Sequence, residues 1–371
     1  MQAFFASLRL GLGALTVCLL GGALLPPSTA SAEDLAAPGG GASLWTFSAE
    51  AIALSRSGGV NQTLVGQLPG ATTTFAQTFD QAGVEALNAN KLWQGFAAGP
   101  KLGLTYRDDS GFGFELSYFS VFNLSGTKSV GPDGNWLLMT APGTFWQTQD
   151  FAYQAMAWKD TTSLHSVEAN GRREVSPRLT LLAGLRWLQL NDELQGTLPP
   201  SDRGDPLWKG DDPSPTLAEV PVPSATTPIV VNPPFWTTKT TNNLYGVQVG
   251  VAGKLWELGR FSLDGVIKAG VYDNAAEQSA LVSMKKQLYP ARAGISAAAF
   301  AGDAGLHAKY RLTDRLALKV GYEALWLDGV ALAAGQIRDT YTTPASVTAL
   351  GVNHGSSTLF QGATLGLDYS F

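Results

Sequence analysis

The last residues, Gly362-Ala363-Thr364-Leu365-Gly366-Leu367-Asp368-Tyr369-Ser370-Phe371, decide the fold class. Ala363, Leu365, Leu367, Tyr369 and Phe371 are apolar at every second position, and Gly362, Thr364, Gly366, Asp368 and Ser370 lie between them. A strand turns successive side chains to opposite faces, so this period of two gathers each set on one face. A helix would scatter both sets round its surface. The same alternation runs through Leu316, Leu318, Val320, Tyr322, Ala324 and Trp326, and again through Phe261, Leu263, Ile267, Ala269 and Val271.

Ten such segments are expected, near 44–54, 95–106, 112–123, 160–172, 179–190, 243–255, 261–272, 300–311, 316–327 and 358–371. Each is close to the roughly 9–11 residues that carry a tilted strand across a bilayer. Tight turns at Arg107–Gly111, Arg173–Arg178, Trp256–Arg260 and Leu312–Arg315 alternate with long loops near 55–94, 124–159, 191–242, 273–299 and 328–357. Short turns at one rim and long loops at the other are the pattern of an antiparallel up-and-down transmembrane β-barrel of the bacterial outer membrane. Eight to twelve strands fit this reading. Tyr369 and Phe371, closing the last strand, are expected to serve as the signal for the barrel-assembly machinery.

Composition agrees. Of 371 residues, 45 % are hydrophobic and only 15 % charged, and 42 are glycine. Soluble domains carry roughly 25 % charged residues. A net charge of -5 offers no basic footprint for nucleic acid. Residues 1–32 read as a cleaved signal peptide: Arg9 is their only charge, an apolar stretch runs from Leu10 to Leu25, and Ala30-Ser31-Ala32 fits an A-x-A site. The barrel domain then occupies 33–371. The sole cysteine, Cys18, falls in the leader, which leaves the mature chain without disulfides or thiolate metal ligands. Aromatic residues cluster at the expected strand ends. Trp45, Phe47, Tyr106, Phe112, Phe114, Phe261, Tyr310, Tyr369 and Phe371 mark the periplasmic side, and Trp187, Tyr245 and Trp326 the other.

The set facing away from lipid contains Glu50, Lys101, Glu115, Glu168, Arg172, Arg186, Lys254, Asp264, Lys268, Asp303, His307, Lys309, Lys319, Glu323 and Asp368. Acids and bases balance once His307 is set aside. Around eight strands leave an interior just filled by side chains, so a ten-strand lumen is narrow. Charges there must pair, because an unpaired buried charge is costly. Asp264 with Lys309, and Lys268 with Asp303, are the expected neighbours by height. A charged, plugged lumen follows, with outer-membrane lipid as the surrounding partner. A narrow, solute-passing pore is the alternative.

No catalytic constellation, metal centre or cofactor motif is expected. The three histidines, His165, His307 and His354, lack metal-ligand spacing. His354, near the outer rim, is the only candidate for a rim enzyme. The loop near 191–242 holds ten of the twenty prolines between Pro199 and Pro234, along with Arg203-Gly204-Asp205 and the acids Asp202, Asp205, Asp211 and Asp212. It reads as an extended, stiff surface segment.

Several of these segments form a recognisable set: Leu164-His165-Ser166-Val167-Glu168-Ala169-Asn170, Leu181-Leu182-Ala183-Gly184-Leu185-Arg186-Trp187, Thr241-Asn242-Asn243-Leu244-Tyr245-Gly246-Val247-Gln248, Lys268-Ala269-Gly270-Val271-Tyr272-Asp273-Asn274, and the closing Gly362–Tyr369. Together they resemble the beta barrel porin-7 family of bacterial outer-membrane proteins, over most strands from about 160 to 371. The resemblance implies an outer-membrane location and a barrel fold. It implies no substrate.

Overall fold

A computed structural model of the chain describes residues 45–57, 59–68, 84–92, 94–131, 136–139, 141, 155–197, 235–284, 287–343 and 346–371. The expected signal peptide and the Pro-rich stretch 198–234 lie outside these residues. The strands are β1 (Trp45–Ser57), β2 (Thr63–Leu68), β3 (Val84–Asn88), β4 (Gln94–Arg107), β5 (Phe112–Val130), β6 (Trp136–Met139), β7 (Met156–Ser176), β8 (Leu179–Thr197), β9 (Phe235–Leu258), β10 (Phe261–Met284), β11 (Gln287–Arg311), β12 (Leu316–Val330), β13 (Thr340–Thr343), β14 (Ser346–Ala349) and β15 (Ser356–Ser370). Ten of them close one antiparallel barrel in the order β1-β15-β12-β11-β10-β9-β8-β7-β5-β4. They are the ten segments marked by the alternation. No helix among the described residues is long and apolar enough to cross a membrane.

Closure joins the two ends of the described chain. Thr46 through Ser57 on β1 pair without a shift with Ser370 through Leu359 on β15. Beyond the ladder, Trp45 N–H donates to Phe371 O at 3.3 Å and Phe371 N–H to Trp45 O at 3.0 Å. A closed sheet leaves no row of unpaired backbone groups, the condition for a sheet in hydrocarbon.

The outer wall reads the alternation directly. Leu185, Val247, Val249, Val271, Val320 and Leu365 point outward and are exposed, Leu185 and Val249 at 64 % each. A belt of this kind all round a barrel is a lipid-facing surface. At its periplasmic edge, Trp45 lies tilted against Tyr106 (ring centroids 4.9 Å) and edge-on to Phe114 (5.4 Å), and Phe261 lies tilted against Tyr310 (4.6 Å). The turns at this rim are tight. In one, Asp108 Oδ1 accepts hydrogen bonds from Ser110 N–H, Ser110 Oγ–H and Phe112 N–H. These hold its carboxyl below the usual carboxylate range, the Ser110 side chain contributing most. Gly111 and Gly259 take positive φ values of 80° and 60° there, which glycine adopts without strain.

Two loop expectations are corrected. Residues 273–284 and 287–299 are strand rather than loop, and so are the two ends of 191–242, at 191–197 and 235–242. β9, β10 and β11 run 24, 24 and 25 residues, far beyond a membrane's thickness. The cause is an inversion of polarity at constant parity. Outside the belt, the outward positions become Gln189, Asn191 and Glu193 on β8, Asn243, Thr241 and Lys239 on β9, and Asp273 and Glu277 on β10. The inward positions become Leu188, Leu190 and Leu194, Leu244 and Trp236, and Tyr272, Ala276, Ala280 and Val282, all buried. The barrel is lipid-facing below and water-facing above, and the switch falls just past Trp187 and Tyr245. The other long connections also carry structure: β2, β3 and β6 form a three-stranded sheet, β13 and β14 a hairpin, and Ala333–Asp339 a 3₁₀ helix.

Glycines on inward positions make room for lumen side chains. A Cβ on Gly246 would lie 2.5 Å from the Tyr272 ring and 2.1 Å from Val271 O. Gly246→Val is therefore expected to destabilise the barrel by about 1–3 kcal/mol, the usual cost of overpacking, in urea titrations of detergent-refolded protein. The folded chain should also migrate differently on SDS gels before and after boiling. Identical mobility would count against a closed barrel.

Candidate functional site

The lumen is layered, and each layer follows from the residues at one height. At the periplasmic side lies an open cavity of about 460 Å³, lined by charged side chains. Lys309 Nζ bridges Asp264 (3.3 Å) and Asp368 (2.9 Å), and Ser48 Oγ donates to Asp368 at 2.7 Å. Arg172 pairs with Glu115. The next layer holds two clusters. Lys319 meets Glu50 at 2.8 Å, while Lys101 and His307 both engage Glu323, the His307 Nε2 at 2.9 Å. Across the lumen, Glu168 receives Lys268 (2.6 Å), Arg186 Nε (3.4 Å) and Gln248 Nε2 (2.8 Å), and Arg186 also pairs with Asp303.

Of the residues read from the sequence as inward charges, all but Lys254 join these clusters. Lys254 stands by the shift in register near Leu263 and Asp264, and its ammonium pairs with Glu257 at 2.8 Å close to the periplasmic turn. Both partners there are about two-fifths exposed. Asp264 and Lys309 pair as their heights imply. Lys268 and Asp303 do face each other in register, but Lys268 reaches across to Glu168, and Asp303 is taken by Arg186. The register fixes which backbones are neighbours; a long lysine chain in a narrow lumen can reach a strand three places round the ring. Tyr369 and Phe371 stack with centroids 6.0 Å apart on the outer face.

Above the charges the lumen turns apolar. Ile52, Leu54, Phe119, Val121, Leu164, Leu188, Leu244, Tyr272, Leu325 and Phe360 fill it as one buried cluster. A second polar cluster lies beyond, and the sequence reading missed it. Arg56 donates to Asp160 (2.6 Å), Asp192 (2.5 Å) and Thr162, and Gln94 Nε2 donates to Thr162 at 2.9 Å. Asp192 also accepts from Ala333 N–H at 2.9 Å. Asn242 takes both backbone groups of Ala331, accepting its N–H at 2.7 Å and donating to its O at 2.8 Å. Asn274 donates to Gly329 O at 3.1 Å. Residues 329–333 are thus tied into the barrel mouth by side chains from β8, β9 and β10. Ala333, Ala334 and Ile337 continue into an outer apolar core with Trp158, Trp236, Leu64, Leu87 and Leu137, beneath the β2-β3-β6 sheet. The signal was parity: Arg56 continues the Glu50–Ile52–Leu54 face, Asp160 that of Glu168, and Asp192 that of Arg186. Placing the strand ends too early hid it.

The closed strand ring and its apolar belt define the class, a transmembrane β-barrel. No protein-family model matches the sequence, and no curated protein does. Among solved structures the likenesses are distant. The chain is similar to the outer membrane protease OmpT of Escherichia coli at 11 % identity and a TM-score of 0.49, over 88 % of this chain and 97 % of that one. It is similar to Neisserial surface protein A at 9 % identity and a TM-score of 0.30, over 90 % and 100 %. The Pseudomonas putida toluene transporter TodX aligns at 12 % identity and a TM-score of 0.34, over 88 % and 90 %.

Removing one partner of a buried ion pair leaves a charge uncompensated. Lys268→Met is expected to cost about 3 kcal/mol in unfolding free energy on that ground. A double-mutant cycle with Glu168→Gln should give the larger coupling, and one with Asp303→Asn the smaller. Equal couplings would contradict the pairing described.

Proposed function

We propose that this chain is a non-catalytic protein of the bacterial outer membrane that presents a folded surface cap on a barrel closed to through-flow. The observation that carries this reading is the stack filling the lumen. The Ile52–Phe360 apolar layer, the Arg56–Asp160–Asp192 cluster, the tied segment 329–333 and the outer core succeed one another from the mid-barrel outward. A conducting pore needs a continuous wet path, and an apolar layer of close-packed side chains excludes one. The charged layer below it is open only toward the periplasm in this reading. Its function is to hold the lower barrel together by paired charges.

The extramembrane wall supports the presenting role. Its strands rise well past the belt and carry a separate sheet and hairpin at the top. The Pro-rich stretch 198–234 joins β8 to β9 at this end. Outer-membrane lipid is the surrounding partner, and the barrel-assembly machinery, reading Tyr369 and Phe371, is the partner during insertion. Membership of the beta barrel porin-7 family fits the same location and is part of this proposal. The rival is a narrow porin, favoured by the charged periplasmic cavity alone.

Planar-bilayer recording separates the two. The intact protein should give no steady single-channel steps. Opening the apolar layer with Leu188→Ser and Phe360→Ala, together with Asp192→Ala and Asn242→Ala to free Ala333 and Ala331, should bring flickering conductance. Stable steps from the intact protein would establish the porin instead.

A further inference from the structure

The periplasmic cavity contains a group that pairing of charges does not fully use. Glu50 on β1, His307 on β11 and Glu323 on β12 bring one ligating atom each to within 4.8 Å of one another. The strands carrying them are consecutive around the barrel with β15, in the order β1-β15-β12-β11. Two buried oxygens here make no hydrogen bond among the described residues, Glu50 Oε2 and Thr364 Oγ1. The Glu50 side chain is 1 % exposed, and Thr364 as a residue is also 1 % exposed. Buried carboxylate and hydroxyl oxygens rarely go unpartnered.

The surrounding backbone is cut away to seat these groups. A Cβ on Gly321 would fall 2.3 Å from His307 Cδ2 and 2.8 Å from Thr364 Oγ1. One on Gly366 would fall 2.6 Å from Glu50 Cγ, and one on Gly305 2.9 Å from His307 Cε1. The imidazole thus lies over Gly321 with Thr364 beside it, and Glu50 lies over Gly366.

We propose that Glu50, His307 and Glu323, with Thr364 Oγ1 at the edge, form a binding site for one divalent first-row transition cation reached from the periplasmic cavity. One imidazole nitrogen with two carboxylates is a borderline donor set that suits Zn²⁺ and its neighbours and disfavours Mg²⁺ and Ca²⁺, which want oxygen alone. In the structure Lys319 and Lys101 neutralise the two carboxylates. The ammoniums compete with the cation for the same oxygens, and both lysines line the cavity into which they can withdraw. Donors each roughly 2.0–2.2 Å from a tetrahedral Zn²⁺ stand about 3.3–3.6 Å apart, a spacing that a group lying within 4.8 Å reaches by small side-chain shifts. The cation would replace the His307 Nε2–Glu323 Oε1 hydrogen bond, whose atoms stand 2.9 Å apart and separate slightly to admit it.

The test is Zn²⁺ titration of the tag-free chain refolded in detergent, with folding of every variant checked by its boiling-dependent gel shift. One equivalent should bind, and excess Mg²⁺ should not displace it. His307→Ala and Glu323→Gln should each weaken binding by about a hundredfold, at or beyond the cost of losing a supporting ligand contact. Lys319→Met, which removes a competitor and strips Glu50 of its counter-charge, should tighten it. His165→Ala and His354→Ala should leave it unchanged. Absence of binding in the folded wild-type chain, or binding that survives His307→Ala with Glu323→Gln, would overturn the assignment.

Discussion

Everything in this molecule depends on the closing ladder between β1 and β15. Twelve residues of β1 pair with β15 in unbroken register, and Trp45 and Phe371 exchange backbone hydrogen bonds beyond it. Closure removes the sheet's edges and creates an inside and an outside. From then on every side chain's parity along its strand decides which solvent it meets. Lipid demands apolar groups outside, and the narrow interior demands either packed apolar groups or fully paired charges.

The chain meets the interior demand in two ways at different heights. In the membrane-embedded half the inward set is ionic, and almost every charge has a partner on a neighbouring or opposite strand. Glu168 alone gathers Lys268, Arg186 and Gln248. In the outer half water surrounds the wall, so an apolar interior becomes favourable and the hydrophobic effect can act across the lumen. There Leu188, Leu244, Tyr272 and Phe360 replace charges. The same strands serve both halves because reversing the polarity of the two faces needs no change of parity. The tied segment 329–333 ends the inner stack, since Asn242, Asn274 and Asp192 satisfy backbone groups that would otherwise be buried without partners.

Much of this was legible in the sequence. The ten alternating segments are the ten barrel strands, and the aromatic residues at their ends do meet across strands, as Trp45 does with Tyr106 and Phe114. The inward charges line the lumen, and only Lys254, near its bulge, pairs outside the lumen clusters, with Glu257. What escaped was the outer half of the barrel. Segments such as Asn191-Asp192-Glu193 look like loop because their residues are polar at every position, and the lipid-facing alternation stops before them. The cluster of Arg56, Asp160 and Asp192 went with it, since its three members are remote in sequence and two lay in stretches read as loop.

By itself the sequence determined a barrel of eight to twelve strands, the parity of each face and the short-turn rim, because these depend on local alternation and turn residues alone. It also determined that the inward charges balance. Only the tertiary structure decided who pairs with whom, since Lys268 reaches Glu168 three strands round the ring and passes over its register neighbour Asp303. Only it decided which segment is tied into the barrel mouth, because residues some 140 along the chain from Asp192 fold back to meet it. The physical reason is common to both: contacts across a closed ring are set by the diameter and the length of each side chain, quantities that no window of consecutive residues contains.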